Sequence, residues 1–171
     1  GTIWTQLDMR NLVFAQESTP GNDTINGFTT DDTIAGEGGD DTLGGGDGPD
    51  TYVYSRGDGH DTINEWVYSW GTDKLVFTNV AASEVALERN GETVKIVVLE
   101  SAPGAGDGGS VTISYGGSGN YVEQVQFSDG TIWTQLDMRN RLLDLASTPG
   151  NDSISGFDAE DTISGEHGDD T

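Results

Sequence analysis

Four aspartates nine residues apart each open the same phrase, Asp-Thr-apolar: Asp23-Thr24-Ile25, Asp32-Thr33-Ile34, Asp41-Thr42-Leu43 and Asp50-Thr51-Tyr52. Glycine is concentrated in the six residues before each aspartate. Carboxylates delivered at a fixed interval by tight turns suit the coordination of a hard divalent cation. Ca²⁺ takes roughly six to eight oxygens at about 2.3–2.6 Å, and stacked turns can supply carboxylates and backbone carbonyls together. Asp61-Thr62-Ile63 adds a turn at a spacing of eleven, and the nine-residue rhythm returns with Asp152-Ser153-Ile154, Asp161-Thr162-Ile163 and Asp170-Thr171. Asp23, Asp32, Asp41, Asp50, Asp61, Asp152, Asp161 and Asp170 are therefore the candidate metal ligands. The competing reading is a solvated acidic loop, but a nine-residue interval with glycines is not a generic surface pattern.

Nine residues accommodate one tight turn and one very short strand. Glycine permits positive φ, the aspartate closes the turn, and the apolar residue two positions later points inward. Two such units complete a coil of eighteen residues, so Asp23 should lie over Asp41 and Asp32 over Asp50. Like charges about 4 Å apart repel by roughly 1 kcal/mol in water and roughly 4 kcal/mol at an effective dielectric near 20. One apolar residue per turn buries too little to offset that repulsion and the chain entropy. The segment is expected to be largely unfolded without metal and to fold on binding it.

Other residues capable of chemistry read more plainly. Asp31, Asp40 and Asp169 are expected to face outward as charge. His60 and His167 have no His or Cys partner at short spacing and read as exposed turn residues. No EF-hand loop occurs. Arg56-Gly57-Asp58 spells an integrin-recognition tripeptide, but the turn needs those glycines and acids anyway. Gly104 to Gly109 lacks the lysine and helix of a phosphate loop and reads as a hairpin loop. Tyr52, Tyr54, Trp66, Tyr68 and Trp70 form an aromatic cluster, read as the core and end cap of the coil, with sugar stacking as the alternative. No carboxylate is paired with a nucleophile or set apart from the repeat, so the chain is not expected to be an enzyme.

Composition points the same way. Thirty Asp and Glu stand against 7 Lys and Arg, a formal net charge of −23 over 171 residues. Nucleic acid and membrane insertion are not expected, because phosphate backbones and anionic lipid need positive charge and no apolar run is long enough to span a bilayer. Only 33% of residues are apolar and 26 are glycine, close to a disordered composition, so order requires cations or tight repetition. Cysteine is absent, and metal takes the place of disulfides as the staple.

A longer repeat lies over the short one. Gly1 to Asn11 is identical to Gly130 to Asn140, and Ser18 to Asp23 to Ser147 to Asp152, at a constant offset of 129. Roughly two-thirds of positions 1–42 recur in 130–171, which implies a tandem array. Residues 1–20 are then the tail of a preceding unit, 21–64 a coil, 65–133 a β-rich segment completing the unit, 134–149 a short linking helix and 150–171 the start of the next coil. Within the unit, residues 73–79 predict a strand. The stretch 85–99 predicts a hairpin about Asn90-Gly91, and 111–115 and 121–127 alternate as strands. Thr134 and Asp137 form a capping-box signal for a helix over about 134–145, with Trp133, Leu136 and Leu143 on one face. The same signal stands at Thr5 and Asp8.

Gly36-Glu-Gly-Gly-Asp-Asp41-Thr-Leu, Gly45-Gly-Asp-Gly-Pro-Asp50-Thr-Tyr and the run from Asp50 to Ile63 resemble the RTX (repeats-in-toxin, haemolysin-type calcium-binding) family. Val122 to Trp133 is similar to the related segment that follows many of its rolls. The resemblance implies an all-β fold: a parallel β-roll of nonapeptides continued by a strand and hairpin segment, with a short helix linking tandem units. It also implies Ca²⁺ as ligand, with turn carbonyls helping the aspartates, and export from a Gram-negative bacterium by a type I system. The loops before Asp23, Asp32 and Asp161 depart from the glycine pattern. The expected role is a structural calcium-binding module of a secreted or surface-associated protein, its partners being calcium and neighbouring units. The alternatives are a module binding carbohydrate or a cell-surface ligand, and the calcium-binding region of a secreted enzyme.

Overall fold

The computed structural model of the protein describes residues 3–65, 71–91, 93–114, 122–157 and 162–171. The chain winds between two sheets, laying one short strand on each in turn. Strands β1 (Thr24–Asn26), β3 (Thr42–Gly44) and β5 (His60–Ile63) stack in parallel on one sheet. Strands β2 (Thr33–Ala35), β4 (Thr51–Tyr54) and β6 (Asp73–Phe77) stack in parallel on the other. This is the expected parallel β-roll.

The winding continues beyond residue 64. After β6 a short 3₁₀ turn leads into an antiparallel hairpin, β7 (Val85–Asn90) and β8 (Thr93–Val98). The chain then resumes the coil: β9 (Gly109–Ser114) lies parallel to β5, and β10 (Val122–Gln126) parallel to β6. Strand β11 (Ile132–Thr134) closes the second sheet antiparallel to β10. The orders are β1-β3-β5-β9-β8-β7 and β11-β10-β6-β4-β2. The hairpin is thus an insertion between two coils, folded onto the free edge of β9.

The core follows from the inward residue of each strand. Register aligns Ile25, Leu43, Ile63, Ile113 and Val94 across one sheet, and Ile34, Tyr52, Leu75, Val125 and Trp133 across the other. All ten are buried. Three-residue strands thus bury one side chain each, and the coil becomes stable only by stacking. Toward the C-terminal end the filling turns aromatic. Tyr54 meets Phe77 edge-on, Phe77 stacks on Phe127 with centroids 5.2 Å apart, and Phe127 meets Trp133 at 4.5 Å.

Two helices bracket the roll, α1 (Gln6–Glu17) and α2 (Gln135–Ala146), each opened by a complete capping box, Thr5 with Asp8 and Thr134 with Asp137. Helix α1 covers the start of the roll, with Phe14 buried and its ring 5.6 Å from Phe28. Helix α2 packs on β7, β10 and β11. The face expected for α2 needs one correction. Trp133 and Leu143 are inside, but Leu136 is exposed and Met138 and Leu142 are buried instead. Leu136 is the second residue of the helix, and the face is set by the strands beneath it, which favour positions 138, 142 and 143. None of the described helices is long and apolar enough to cross a membrane.

Candidate metal centre

Tight turns join the two sheets, and Asp23, Asp32, Asp41, Asp50 and Asp61 stand where a turn meets its strand, whereas the described residues around Asp152 and Asp170 form no strand. The expected stacking is present. Asp23 N–H donates to Asp41 Oδ1 at 2.8 Å, and Asp41 N–H to Asp61 Oδ1 at 3.1 Å. On the opposite side Asp32 N–H donates to Asp50 Oδ1 at 2.8 Å, and Asp50 N–H to Asp73 Oδ1 at 2.7 Å. Each carboxylate therefore grips the backbone of the coil before it with one oxygen. The aspartates form two ladders, not pairs of carboxylates facing one another. In the second copy Asp152 N–H donates to Asp170 Oδ1 at 3.0 Å, repeating the pattern. Asp161 lies outside the described residues.

The ladder along β2, β4 and β6 runs further than the sequence spacing suggested. Asp73 extends it, and Asp73 N–H donates in turn to Glu123 Oε2 at 2.6 Å. Neither was among the expected site residues, because the intervals from Asp50 to Asp73 and from Asp73 to Glu123 are 23 and 50 residues. A local signal was available for Asp73. Gly39, Gly48, Gly59 and Gly168 stand two residues before Asp41, Asp50, Asp61 and Asp170 with φ between 108° and 144°, and Gly71 stands two before Asp73 at φ 123°. A left-handed glycine two residues before the aspartate is thus common to these five turns, whereas Gly21 before Asp23 and Gly150 before Asp152 occupy the same place without positive φ.

The fourth residue before the aspartate is left-handed as well: Glu37 at φ 69°, Gly46 at 99°, Gly57 at 95° and Glu166 at 61°. Glu37 and Glu166 occupy the same place in the two copies, so the turn imposes this conformation even without glycine. The loops before Asp23 and Asp32, which lack the glycine pattern, have no left-handed residue.

The second carboxylate oxygen is available for a cation. Asp41 Oδ2 and Asp50 Oδ2 are buried and have no hydrogen-bond partner. Each aims at the first glycine of its own turn. A Cβ on Gly36 would lie 2.0 Å from Asp41 Oδ2, and one on Gly45 2.0 Å from Asp50 Oδ2. Stacked turns also bring carbonyl oxygens close to the next coil: a Cβ on Gly27 would meet Gly45 O, and one on Gly59 would meet Gly39 O, each at 2.0 Å. Among the described residues no three acidic or histidine side chains converge on one point. A cation here would draw much of its shell from carbonyls, with single carboxylate oxygens added. That all-oxygen donor set fits a hard ion such as Ca²⁺.

Burial weighs on these acids. Asp50 is pushed up to about 7, first by burial and then by the charges of Asp73, Asp32 and Asp31, against the pull of the Asp32 N–H. Asp61 is likewise pushed up to about 7, by burial first and then by Asp41, Asp58 and Asp40. Burial also raises Asp41, Asp58 and Glu123.

A pH dependence follows. An unfolded aspartate titrates near about 4, so between about pH 4 and 7 the metal-free coil binds more protons than the unfolded chain. Stability present at pH 4 is then lost as pH rises through about 7. In chelator, the β signal in far-UV circular dichroism should fall over this window. A signal that is flat or rises with pH contradicts the assignment of Asp50 and Asp61 as buried, metal-free acids.

The residues read as bystanders are also placed. Asp31, Asp40 and Asp169 are exposed, yet Asp40 is not merely solvated. Its Oδ1 accepts the His60 N–H at 3.1 Å, and Asn22 Oδ1 accepts the Asp40 N–H at 3.0 Å. His60 is exposed at the start of β5, with Nδ1 2.9 Å from Ser110 Oγ. The Arg56 side chain is tied to Leu99 O and to Glu84, 2.8 Å away, so Arg56-Gly57-Asp58 is not presented as a free tripeptide. Tyr52 and Tyr54 are core residues, and Tyr54 Oη donates to Gly59 O at 2.8 Å. Trp66, Tyr68 and Trp70 lie outside the described residues.

Comparison with known proteins agrees with this geometry. The RTX calcium-binding nonapeptide repeat (4 copies) matches residues 17–52 and 144–171, the two places where the ladders begin. The haemolysin-type calcium binding protein related domain matches residues 105–137, which hold β9, β10 and β11. The chain is 31% identical over 126 residues to the iron-regulated protein FrpA of Neisseria meningitidis serogroup C. That match spans 70% of this chain and 11% of the relative's length. With nonapeptide repeats at both ends of its 129-residue period and the related domain between them, the chain belongs to the RTX calcium-binding repeat family.

Proposed function

We propose that this chain is a structural calcium-binding module of a larger secreted or surface-associated bacterial protein, ordered outside the cell when Ca²⁺ occupies its turns. The observation that carries the proposal is the pair of buried, unpartnered oxygens, Asp41 Oδ2 and Asp50 Oδ2, in turns of a stack where carbonyls such as Gly39 O and Gly45 O lie close against glycines of the neighbouring coil. Asp41, Asp50, Asp61 and the turn carbonyls would hold the ion, with Asp23, Asp32 and Asp73 as the adjoining rungs. Bound there, Ca²⁺ supplies the positive charge that the acidic turns lack.

The chain's own residues do the rest. The Oδ1 ladders fix the spacing between coils, and the left-handed residues hold the turns open. The inward column of Ile, Leu and Tyr excludes water. Extracellular modules bind calcium at roughly 10⁻⁴–10⁻³ M, above the level inside a cell, so the fold is coupled to export. Export by a type I system from a Gram-negative bacterium is part of this reading, drawn from the family. The module's work is spacing and rigidity, and no catalytic part is assigned to it.

A calcium titration followed by far-UV circular dichroism tests the reading. The expected result is a coil-like spectrum in chelator near pH 7.5 and a cooperative gain of β signal with calcium. Mg²⁺ should not substitute, since it demands a tighter octahedron. A chain fully folded in excess chelator at that pH would overturn it.

A further inference from the structure

The internal repeat places one surface of this molecule in two settings. At the second setting α2 lies on its own sheet, with Trp133 5% and Met138 0% exposed and Leu142 buried. Strand β7 runs over this helix, and its Arg89 reaches past it into the next roll. There Arg89 Nη1 donates to Ser155 O at 2.7 Å and Nη2 to Gly156 O at 2.9 Å. The same guanidinium lies over the Phe157 ring, 3.7 Å from its centroid, with Arg139 at 5.4 Å. One arginine thus joins the hairpin of one unit to the segment Ser155, Gly156 and Phe157 that follows Asp152 in the next unit. Its planar fork suits two successive carbonyls, and its face suits the ring.

At the first setting the counterparts 129 residues earlier are uncovered. Trp4 is 53% and Met9 51% exposed, and Leu12, Val13 and Phe28 are exposed with them. Met9, Val13 and Phe28, with Gln6, Arg10, Thr29 and Thr30, line an open groove of about 390 Å³. Met138, Leu142 and Phe157 hold the matching positions beside β7 and Arg89. Arg141, which lies 4.4 Å from the Trp133 ring in the second copy, is replaced by Leu12 beside Trp4.

We propose that the groove between α1 and the turn joining β1 to β2 is the receiving half of a unit-to-unit joint, and that its occupant is the β7–β8 hairpin of another copy of this repeat, the one that ends in residues 1–17. The hairpin lays its β7 strand on Met9 and Val13. Its arginine, equivalent to Arg89, covers Phe28 and bonds the carbonyls of Asn26 and Gly27, the counterparts of Ser155 and Gly156. The joint makes the array stiff: each helix is clasped between the sheet before it and the roll after it. The inference rests on the modular part of the proposed function and is independent of calcium coordination.

The sequence contains no cysteine, so a single introduced thiol reports on burial. Met9→Cys and Met138→Cys are made separately in this chain. Met9→Cys is also made in an extended chain with a second copy of residues 1–129 joined ahead of Gly1. Thiol labelling is timed in calcium. In the unextended chain the Met9→Cys thiol should react fast and the Met138→Cys thiol slowly. In the extended chain labelling of Met9→Cys should slow by roughly tenfold or more, as access sets the labelling rate. Arg89→Ala in the added copy should restore much of the fast rate.

Equal labelling of Met9→Cys with and without the added copy, while the thiol of Met138→Cys stays shielded, would overturn the joint. Rapid labelling of Met138→Cys in the folded chain would do so too. Shielding at position 9 that persists in chelator supports the joint while counting against calcium-dependent folding, so the two readings fail separately.

Discussion

Asp50→Ala is expected to abolish the calcium-dependent gain of β structure in the roll, whereas Asp50→Asn should separate the two duties of that side chain. Asp50 is fully buried. Its Oδ1 accepts the Asp32 N–H at 2.8 Å, and its Oδ2 has no protein partner. Alanine removes both oxygens, leaves a buried N–H unsatisfied at a cost of about 1–3 kcal/mol, and deletes a ligand. Asparagine keeps an acceptor for Asp32 and removes a buried charge, so the metal-free roll should be no less stable near pH 7.5. Its amide nitrogen cannot bind a cation, and calcium affinity should drop by roughly tenfold or more. Isothermal titration with calcium alongside circular dichroism reads both effects. If Asp50→Asn bound calcium as tightly as the parent chain, the assignment of Oδ2 as a ligand would be lost.

Gly59→Ala is expected to be the most damaging of the glycine substitutions, and Gly57→Ala its mild control. Both glycines are left-handed, at φ 108° and 95°. A Cβ on Gly57 meets nothing within 4 Å, so its cost is backbone strain alone, of order 1 kcal/mol. A Cβ on Gly59 would lie 2.0 Å from Gly39 O, a backbone atom held in the stacked turn. Gly59 O in turn accepts from Ser110 N at 2.9 Å and from Tyr54 Oη at 2.8 Å, so the turn has no room to shift. The added clash should bring the loss to about 3 kcal/mol or more. Chemical denaturation in saturating calcium checks the pair. Equal losses at the two positions would show that the coils are not packed at this distance.

The few cations in this acidic chain are concentrated at its joints. Arg10 bonds Asp31 O at 3.4 Å and approaches Asp32 at 3.6 Å, fastening α1 to the first coil. Arg56 fastens the turn before β5 to Glu84 and Leu99 at the foot of the hairpin. Arg89 and Arg139 meet on Phe157, and Arg141 covers Trp133. The turns themselves contain almost no positive side chain that could neutralise them. This distribution suits a module whose turns take metal and whose ends take other modules.

Local chemistry made much of the molecule legible from its residues. The nonapeptide interval determines a turn and a strand because glycine geometry and side-chain alternation act within nine residues. Asn90-Gly91 marked the hairpin of β7 and β8, and the capping boxes marked both helices to within a residue or two. The ladders from Asp23 to Asp41 and from Asp32 to Asp50 followed from the same arithmetic of eighteen.

Where the interval is broken, the outcome depends on packing between distant segments. The steps to Asp61 and Asp73 are 20 and 23 residues, and β9 and β10 rejoin their stacks after a whole hairpin has been inserted. Parallel register depends on which edge a returning strand meets, and that contact is non-local. Asp73 and Glu123 enter the ladder for this reason, and Leu136 yields to Met138 because the strands beneath α2 choose its face. The order of residues along the chain was enough to specify the repeating turn and the kind of ion it suits. The packed coils alone set how many layers share that turn, which oxygen is left for the ion, and where the next unit docks, because each of these depends on what lies one coil away in space.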